Sequence, residues 1–386
     1  MKQIQLLNKI APVGVAEFGT DYEVGADVGT PSGIMVRSAD MHGMSFPPAL
    51  EAIARAGAGV NNIPIDECAE HGIVVFNTPG ANANGVKELA VAALLLASRN
   101  IVGGVEWANS LAGTADVAKQ VEAGKSKFAG VEIAGKTLGV IGLGAIGGLV
   151  ANAAHSLGMK VVGYDPYITI DGAWSLSRAV SRAASYDELF AVSDYITVHV
   201  PATPETKGMF CAEAFAKMKD GVRIINLSRG DLICAADMKA AVASGKVAAY
   251  VTDFPSEEIV GVPGIVTIPH LGASTEESEE NCAVMAAREL REYLESGNIR
   301  NSVNFPNASM PRSGDHRICI LHRNIPAIIS QISALVAEEG LNIENMLNRS
   351  RKEYAYTIIE LNGVVPSAAL EKIEKIDGIL RVRFFD

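Results

Sequence analysis

Residues 137–167, TLGVIGLGAIGGLVANAAHSLGMKVVGYDPY, constrain this chain more than any other stretch. An apolar run meets glycines spaced as Gly142, Gly144 and Gly147, a small-residue amphipathic segment follows, and a second apolar run ends at Asp165. Strand, glycine turn, helix and strand make a right-handed βαβ crossover, which needs a parallel sheet to close on. The same spacing suits a dinucleotide. Gly142 permits the tight turn, Gly144 lets backbone approach a pyrophosphate, and Gly147 allows close helix packing. Ala145 and Ile146 open the helix, where free N–H groups and the positive dipole end favour an anion. Asp165 is placed to accept from the adenosine ribose hydroxyls. A carboxylate there repels a 2′-phosphate and the following PYIT offers no arginine, so NAD is expected rather than NADP. By itself GxGxxG is a weak signal that also fits a plain turn with a capping aspartate; the flanking strands supply the missing context.

The pattern continues. TLGVIG, KVVGYD, YITVHV, RIINLS, VAAYVTD and IVTIP are near-continuous apolar runs separated by helical stretches, which predicts a doubly wound parallel-sheet Rossmann domain over 101–282. IMVRS, AIARAG and IVVFN predict a smaller α/β substrate-binding domain over 1–100. Two long helices are expected at the junctions, VKELAVAALLLASRNIVGGVEW and STEESEENCAVMAARELREYLESG, the second capped by Ser274 and Glu277. If the second returns to the first domain over 283–305, that domain is discontinuous. Pro306, Pro311 and their small polar neighbours read as a linker at 306–315. Beyond it, 316–386 has the β-α-β-β-α-β order of a ferredoxin-like unit, with Pro326 at a helix start and Gly340 at its end. So small a unit has a sheet face to cover, and pairing with a second copy, as homodimer or homotetramer, is the expected solution.

Composition excludes several classes. A net charge of −11 disfavours general attraction to nucleic acid or anionic lipid, so an anionic substrate must be held by local arginines. The longest strongly apolar stretch, 89–97, is too short to cross a bilayer, and the N-terminus lacks a secretion-type apolar core, which points to the cytoplasm and to no membrane partner. Cys68, Cys211, Cys234, Cys282 and Cys319 are odd in number and never form CxxC, so buried free thiols are expected rather than disulfides or a metal site.

Four further loops each follow an apolar strand: HVPATPETKG (199–208), INLSRGDL (225–232), YVTDFPSEE (250–258) and IPHLGAST (268–275). With RAGAGVNNI (55–63) and NTPGANAN (77–84), their order resembles that of the D-isomer-specific 2-hydroxyacid dehydrogenases over nearly the whole chain, and within them the branch that oxidises 3-phospho-D-glycerate and carries a C-terminal ACT domain. The resemblance implies NAD-dependent hydride transfer at C2 of a hydroxy acid, with 3-phosphohydroxypyruvate as product, the entry step of the phosphorylated route to serine. It matches His270 to the acid/base, a role that suits an imidazole, and Arg229 to the carboxylate clamp, which suits a planar guanidinium. It places the imidazole-orienting carboxylate on Glu258, with Glu257 as runner-up because DFPSEEI departs from the commoner form of that loop. Asp253 would then meet the nicotinamide carboxamide. His199, Val200, Pro201, Thr206, Leu227, Ser228 and Gly272 fall on cofactor-lining positions. Ala58, Gly59, Asn77 and Thr78 fall on the substrate loops, Arg37 and Arg55 on the phosphate end, and Lys127 is a candidate third cation.

HRNIPAIISQISALVAEEGLNIENM resembles ACT domains, and His322 and Asn324, taken as lying in the loop after the first strand, with Asn342, match positions that contact an L-serine effector. The alternatives are an oligomerisation device without a ligand, another D-2-hydroxyacid dehydrogenase with 2-oxoglutarate reduction as a side activity, and an NAD-sensing corepressor. The acidic charge and the absence of an interaction tail oppose the last.

Overall fold

A computed structural model describes residues 1–386, which divide into two compact units: 1–82 with 279–386, and 83–278. The first unit begins with strands β1 (Lys2–Leu6), β2 (Tyr22–Gly25), β3 (Gly33–Val36), β4 (Ala52–Arg55) and β5 (Val74–Phe76), all parallel in the order β2-β1-β3-β4-β5. β3 and β5 are buried throughout, as a sheet covered on both faces requires.

The second unit holds β6 (Thr137–Ile141), β7 (Lys160–Tyr164), β8 (Ser181–Arg182), β9 (Tyr195–Val198), β10 (Val222–Asn226), β11 (Val247–Thr252) and β12 (Ile265–Thr267). They pair in parallel as β12-β11-β10-β9-β6-β7-β8, so the strand order reverses between β6 and β9. Crossovers leaving that point in opposite directions open a crevice at the carboxyl ends of the strands.

Helix Ala83–Ser98 belongs to this second unit rather than to 1–100, because Val86, Ala90, Ala93, Leu94 and Ala97 pack on Leu138, Val140, Val150 and Val251. The single helix expected over 86–107 is two helices, Ala83–Ser98 and Ile101–Ser110, bent by 70°. Asn100 makes the break, its side chain accepting from the Gly103 N–H at 3.2 Å as a new N-cap. No single helix is long and apolar enough to cross a membrane.

Helix Glu276–Ser296 is capped by Thr275, whose Oγ1 accepts from the Ser278 N–H at 3.1 Å, not by the expected Ser274. The unit boundary falls at 278/279, within this helix, rather than at 282/283. The stretch 306–315, read as a linker, is packed down: Ala308 bridges Ile299 and is buried, and just before it Asn304 accepts from Val75 N–H and donates to Ile73 O.

The chain closes with β13 (His316–Arg323), β14 (Asn342–Arg351), β15 (Tyr354–Asn362) and β16 (Ile379–Phe385), antiparallel in the order β14-β15-β13-β16, with helices Ile328–Glu338 and Ser367–Glu374 in the connections. Alternation splits this sheet. Ile318, Ile320, Ile359 and Leu361 face the two helices, whereas Cys319, Leu321, Tyr356 and Ile358 join Phe76, Tyr293 and Phe305 in the core of the first unit. The face expected to need a second copy is therefore covered by the chain itself. Arg317 and Arg383 fasten it there. Arg317 pairs with the buried Glu360 and donates to Ser296 O (2.7 Å) and Met310 O (2.7 Å), and Arg383 donates to Tyr293 O (2.8 Å) and Leu294 O (3.1 Å). Leu294 O and Ser296 O are among the last carbonyls of helix Glu276–Ser296, which have no partner within the helix, and Tyr293 O also accepts from Gly297 N–H.

Candidate active site

The glycine turn leaves β6 at Gly142, which has φ +83°; a side chain there would lie 2.6 Å from His199 O. At Gly147 a Cβ would stand 1.8 Å from Gly142 O, so helix Ala145–Ser156 can approach the turn only without a side chain. Gly144 has open space around it, and the first intrahelical bond of the turn runs from Gly148 N–H to Gly144 O. The N–H groups of Ala145, Ile146 and Gly147 are thus free of helical partners. Asp165 ends β7 with its carboxylate beside the turn, Oδ2 accepting from Leu143 N–H and Oδ1 from Tyr167 N–H, both at 2.8 Å. Gly144, Ala145 and Asp165 line a pocket of about 220 Å³ with Asn152, Tyr167 and Thr169. The last three were not anticipated from sequence, because they matter only once helix Ile170–Ser175 folds over the turn.

At the ends of β9, β10, β11 and β12 a second pocket, about 760 Å³, is lined by Arg229, Glu258, His270, Asp253, Phe254 and Lys207. Three separate loops thus bring Arg229, Glu258 and His270 together. Arg229 is exposed, its Nη1 donating to Ser228 O at 2.7 Å, while Asn226 Nδ2 donates to Arg229 O at 2.8 Å and fixes the loop. The His270 ring packs against that of Phe254, with centroids 4.7 Å apart and planes tilted by 47°. No hydrogen bond joins Glu258 or Glu257 to this imidazole. Both glutamates are exposed, so the expected orienting bond is absent from this arrangement, and the Phe254 ring is what packs against the histidine. Phe254 was missed, although it directly follows Asp253 in the same loop.

Asp253 is buried. Its Oδ2 accepts from Gly272 N–H at 3.1 Å and its Oδ1 has no partner. Burial raises its carboxyl above the usual range, opposed by the Gly272 N–H and by the nearby charges of His270 and Arg229. The remaining cofactor candidates form the walls. Leu227 is buried, Ser228 Oγ donates to Val198 O at 2.9 Å, and Thr206 Oγ1 donates to Pro201 O at 2.7 Å. His199 bonds Thr197 Oγ1 at 2.9 Å through Nε2, its Nδ1 is unpartnered, and burial depresses it to about 4; Val200 lies beside Gly142. An orphaned buried carboxylate oxygen, an open glycine turn and a free helix N-terminus fit a dinucleotide.

In the first unit Arg55 ends β4 half-buried, with Nε donating to Asn62 Oδ1 at 3.0 Å. Its Nη1 stands 2.5 Å from the Cβ position of Gly57, so the guanidinium lies across the 57–59 loop. Burial, and then repulsion from Arg37, lowers its pKa. That loop is tied to the next: Asn77 Nδ2 donates to Ala58 O at 2.6 Å and Thr78 N–H to Gly57 O at 3.2 Å. Arg37 is held by Glu279 at 2.7 Å. Lys127 is exposed in the other unit.

His322 does not lie in a loop. It is buried within β13, its Nδ1 bonded to Arg323 O at 2.8 Å and Nε2 to Thr357 Oγ1 at 2.9 Å, and burial lowers its pKa. Alternation from Ile318 and Ile320 put it on the helix-facing side. Asn324 and Asn342 are exposed.

Comparison with known proteins agrees with this geometry. Residues 92–272 match the model of the D-isomer specific 2-hydroxyacid dehydrogenase NAD-binding domain. The chain is 33% identical over 347 residues to D-3-phosphoglycerate dehydrogenase 2 of Saccharomyces cerevisiae, covering 83% of this chain and 70% of that one. It is 38% identical over 267 residues to D-3-phosphoglycerate dehydrogenase of Archaeoglobus fulgidus, covering 67% of this chain and 48% of the relative. Among solved structures, NAD+-bound 3-phosphoglycerate dehydrogenase of Entamoeba histolytica superposes with a TM-score of 0.58 at 26% identity, over 78% of this chain and 98% of that one. With an NAD-binding turn, a catalytic-type loop set and relatives of this extent, the chain belongs to the D-isomer-specific 2-hydroxyacid dehydrogenases.

Proposed function

We propose that the protein oxidises 3-phospho-D-glycerate to 3-phosphohydroxypyruvate. The observation that carries the chemistry is the convergence of Arg229 and His270 on one pocket with Asp253, whose buried Oδ1 lacks a partner. NAD, when bound, supplies the hydride acceptor; Ala145, Ile146 and Gly147 would hold its pyrophosphate, Asp165 its ribose, and Asp253 Oδ1 its carboxamide. His270 takes the proton of the C2 hydroxyl and returns it in the reverse direction. Arg229 exchanges its bond to Ser228 O for the substrate carboxylate and stabilises the negative charge that develops on the C2 oxygen. Phe254 packs against the imidazole, and Glu258, which lines the same pocket, is the carboxylate read as its partner.

The phosphate reading rests on Arg55, whose Nη groups donate no hydrogen bond within the chain, with the 57–59 and 77–78 loops beside it. Arg37 joins only by leaving Glu279, and this ion pair favours a second reading in which the substrate is an unphosphorylated D-2-hydroxy acid. NADH formation measured with 3-phosphoglycerate, glycerate, D-lactate and 2-hydroxyglutarate separates the two. A kcat/KM for 3-phosphoglycerate no higher than for the others removes the phosphorylated substrate.

The C-terminal βαββαβ unit is read as an ACT-type module. Asn324 and Asn342 are the exposed groups from which an L-serine site on it would be built, and a homodimer is the assembly that would bring two such edges together. Calorimetric titration with L-serine tests the effector, and no heat at millimolar serine removes it.

A further inference from the structure

Segment 208–211 runs alongside 231–234 in the second unit. Phe210 bridges Ile233 in parallel register, with Phe210 N–H donating to Leu232 O and Cys234 N–H to Phe210 O, both at 3.0 Å. The next pair in this register is Cys211 and Cys234. Both backbones remain extended there (φ −123°, ψ −179° and φ −79°, ψ 103°), so their side chains leave the same face of the pairing. Neighbouring strands stand about 4.8 Å apart, inside the roughly 4.4–6.8 Å Cα separation that a disulfide spans. A second contact holds the register, Ala212 N–H donating to Asp237 Oδ2 at 2.9 Å.

The two cysteines occupy the N-cap positions of helices Ala212–Ala216 and Ala235–Ala243, where Ser, Asp or Asn would cap, and neither makes a side-chain cap bond. Neither is fully buried, in contrast with Cys68, Cys282 and Cys319 and with the sequence expectation of five buried thiols. Cys234 also lines the pocket that holds Arg229 and His270. Its only polar contact is from Sγ to Gly208 O at 3.7 Å, a weak bond that a rotation about χ1 gives up.

We propose that Cys211 and Cys234 are a modification site, a thiol pair that a peroxide closes to a reversible disulfide and that thereby reshapes the Gly208–Cys234 wall of the catalytic pocket. One deprotonated thiol attacks a peroxide oxygen, breaking the O–O bond and leaving a sulfenic acid and water. The second thiol attacks the sulfenic sulfur, forming S–S and releasing the remaining oxygen as water. Two thiols are oxidised by two electrons and the peroxide is reduced to two waters. Burial, with Asp237 and Cys211 adjacent, raises the Cys234 thiol, so closure runs faster as pH rises.

The test uses the full chain, reduced, desalted, exposed to a small excess of hydrogen peroxide, alkylated and digested without reductant. The expected result is a cross-linked peptide pair carrying Cys211 and Cys234, lighter by two hydrogens and released by dithiothreitol. Cys68, Cys282 and Cys319 should be alkylated only after unfolding. Absence of that pair, with both thiols alkylated singly or oxidised independently, overturns the proposal whatever the substrate proves to be. A second readout rests on the pocket assignment: oxidation shifts KM for the hydroxy acid by about threefold or more in the native chain and not in C211S, with C234S as a second unlinked control. A linked protein whose KM is unchanged, or an equal shift in C211S, overturns the coupling to the pocket.

Discussion

The imidazole of His270 packs against the ring of Phe254, centroids 4.7 Å apart and planes tilted by 47°, so in this arrangement the proposed acid/base has an aromatic neighbour rather than a carboxylate partner. Replacing Phe254 with Ala should lower kcat by about tenfold while leaving KM for NAD within a factor of about two, because the ring is lost but the histidine remains. His270→Asn should lower kcat by about 10²- to 10⁴-fold, the usual scale of general acid–base catalysis. Stopped-flow NADH absorbance checks both. A Phe254 variant with native kcat would return the orienting role to Glu258.

Arg55→Ala should raise KM for 3-phosphoglycerate by about 10- to 100-fold, as loss of a charge-assisted hydrogen bond predicts, without moving KM for NAD. Gly57→Ala should do the same through displacement, since the new methyl carbon would stand 2.5 Å from the Arg55 Nη1. Native KM in both variants would detach Arg55 from the substrate.

Asp165→Ala should weaken NAD binding by about 1–3 kcal/mol, because it removes the ribose acceptor and the anchor of Leu143 N–H together. Fluorescence titration with NADH reads it. Unaltered affinity would reduce Asp165 to a turn residue.

Glu289 is buried with Oε2 unpartnered, and burial raises its carboxyl to about 8 against the bond from Asn301. The folded chain holds this proton more tightly than the unfolded one. Its contribution is therefore intact below about 4.5 and is lost as pH rises to about 8, at about 1.4 kcal/mol per pH unit as an upper bound. Glu289→Gln should flatten the fall in Tm across this window. An unchanged slope in calorimetry would place the titration elsewhere.

Arg317→Met should cost about 3–5 kcal/mol, because Glu360 is left buried and unpaired and Ser296 O loses a donor. The double change with Glu360→Leu should recover much of that loss in a denaturant titration, since no lone charge then remains.

Much of the second unit was legible in the sequence because its signals are local. Gly142, Gly144 and Gly147 declare themselves where a turn must meet a helix, and apolar runs of five or so residues with helices between admit little besides a parallel sheet. Arg229 and His270 were singled out by the resemblance of their loops to a known family, and the structure brings both loops to one pocket because the strand ends of one sheet share an edge. The orienting bond of Glu258 was not, since Glu257 and Glu258 sit in an exposed loop where a shift of one residue leaves no periodic trace.

The chain's own order of residues thus determined most of the elements and the sheet class of each unit. Tertiary structure decided what covers what. Whether a strand face meets solvent, a second copy or its own chain depends on partners that are distant in the sequence. Arg317 and Arg383 found theirs on helix Glu276–Ser296, and that closed the face for which an oligomer had been expected. His322 shows the same dependence: alternation fixed its side of the strand, and tertiary packing, which buries both faces of β13, enclosed it against Thr357.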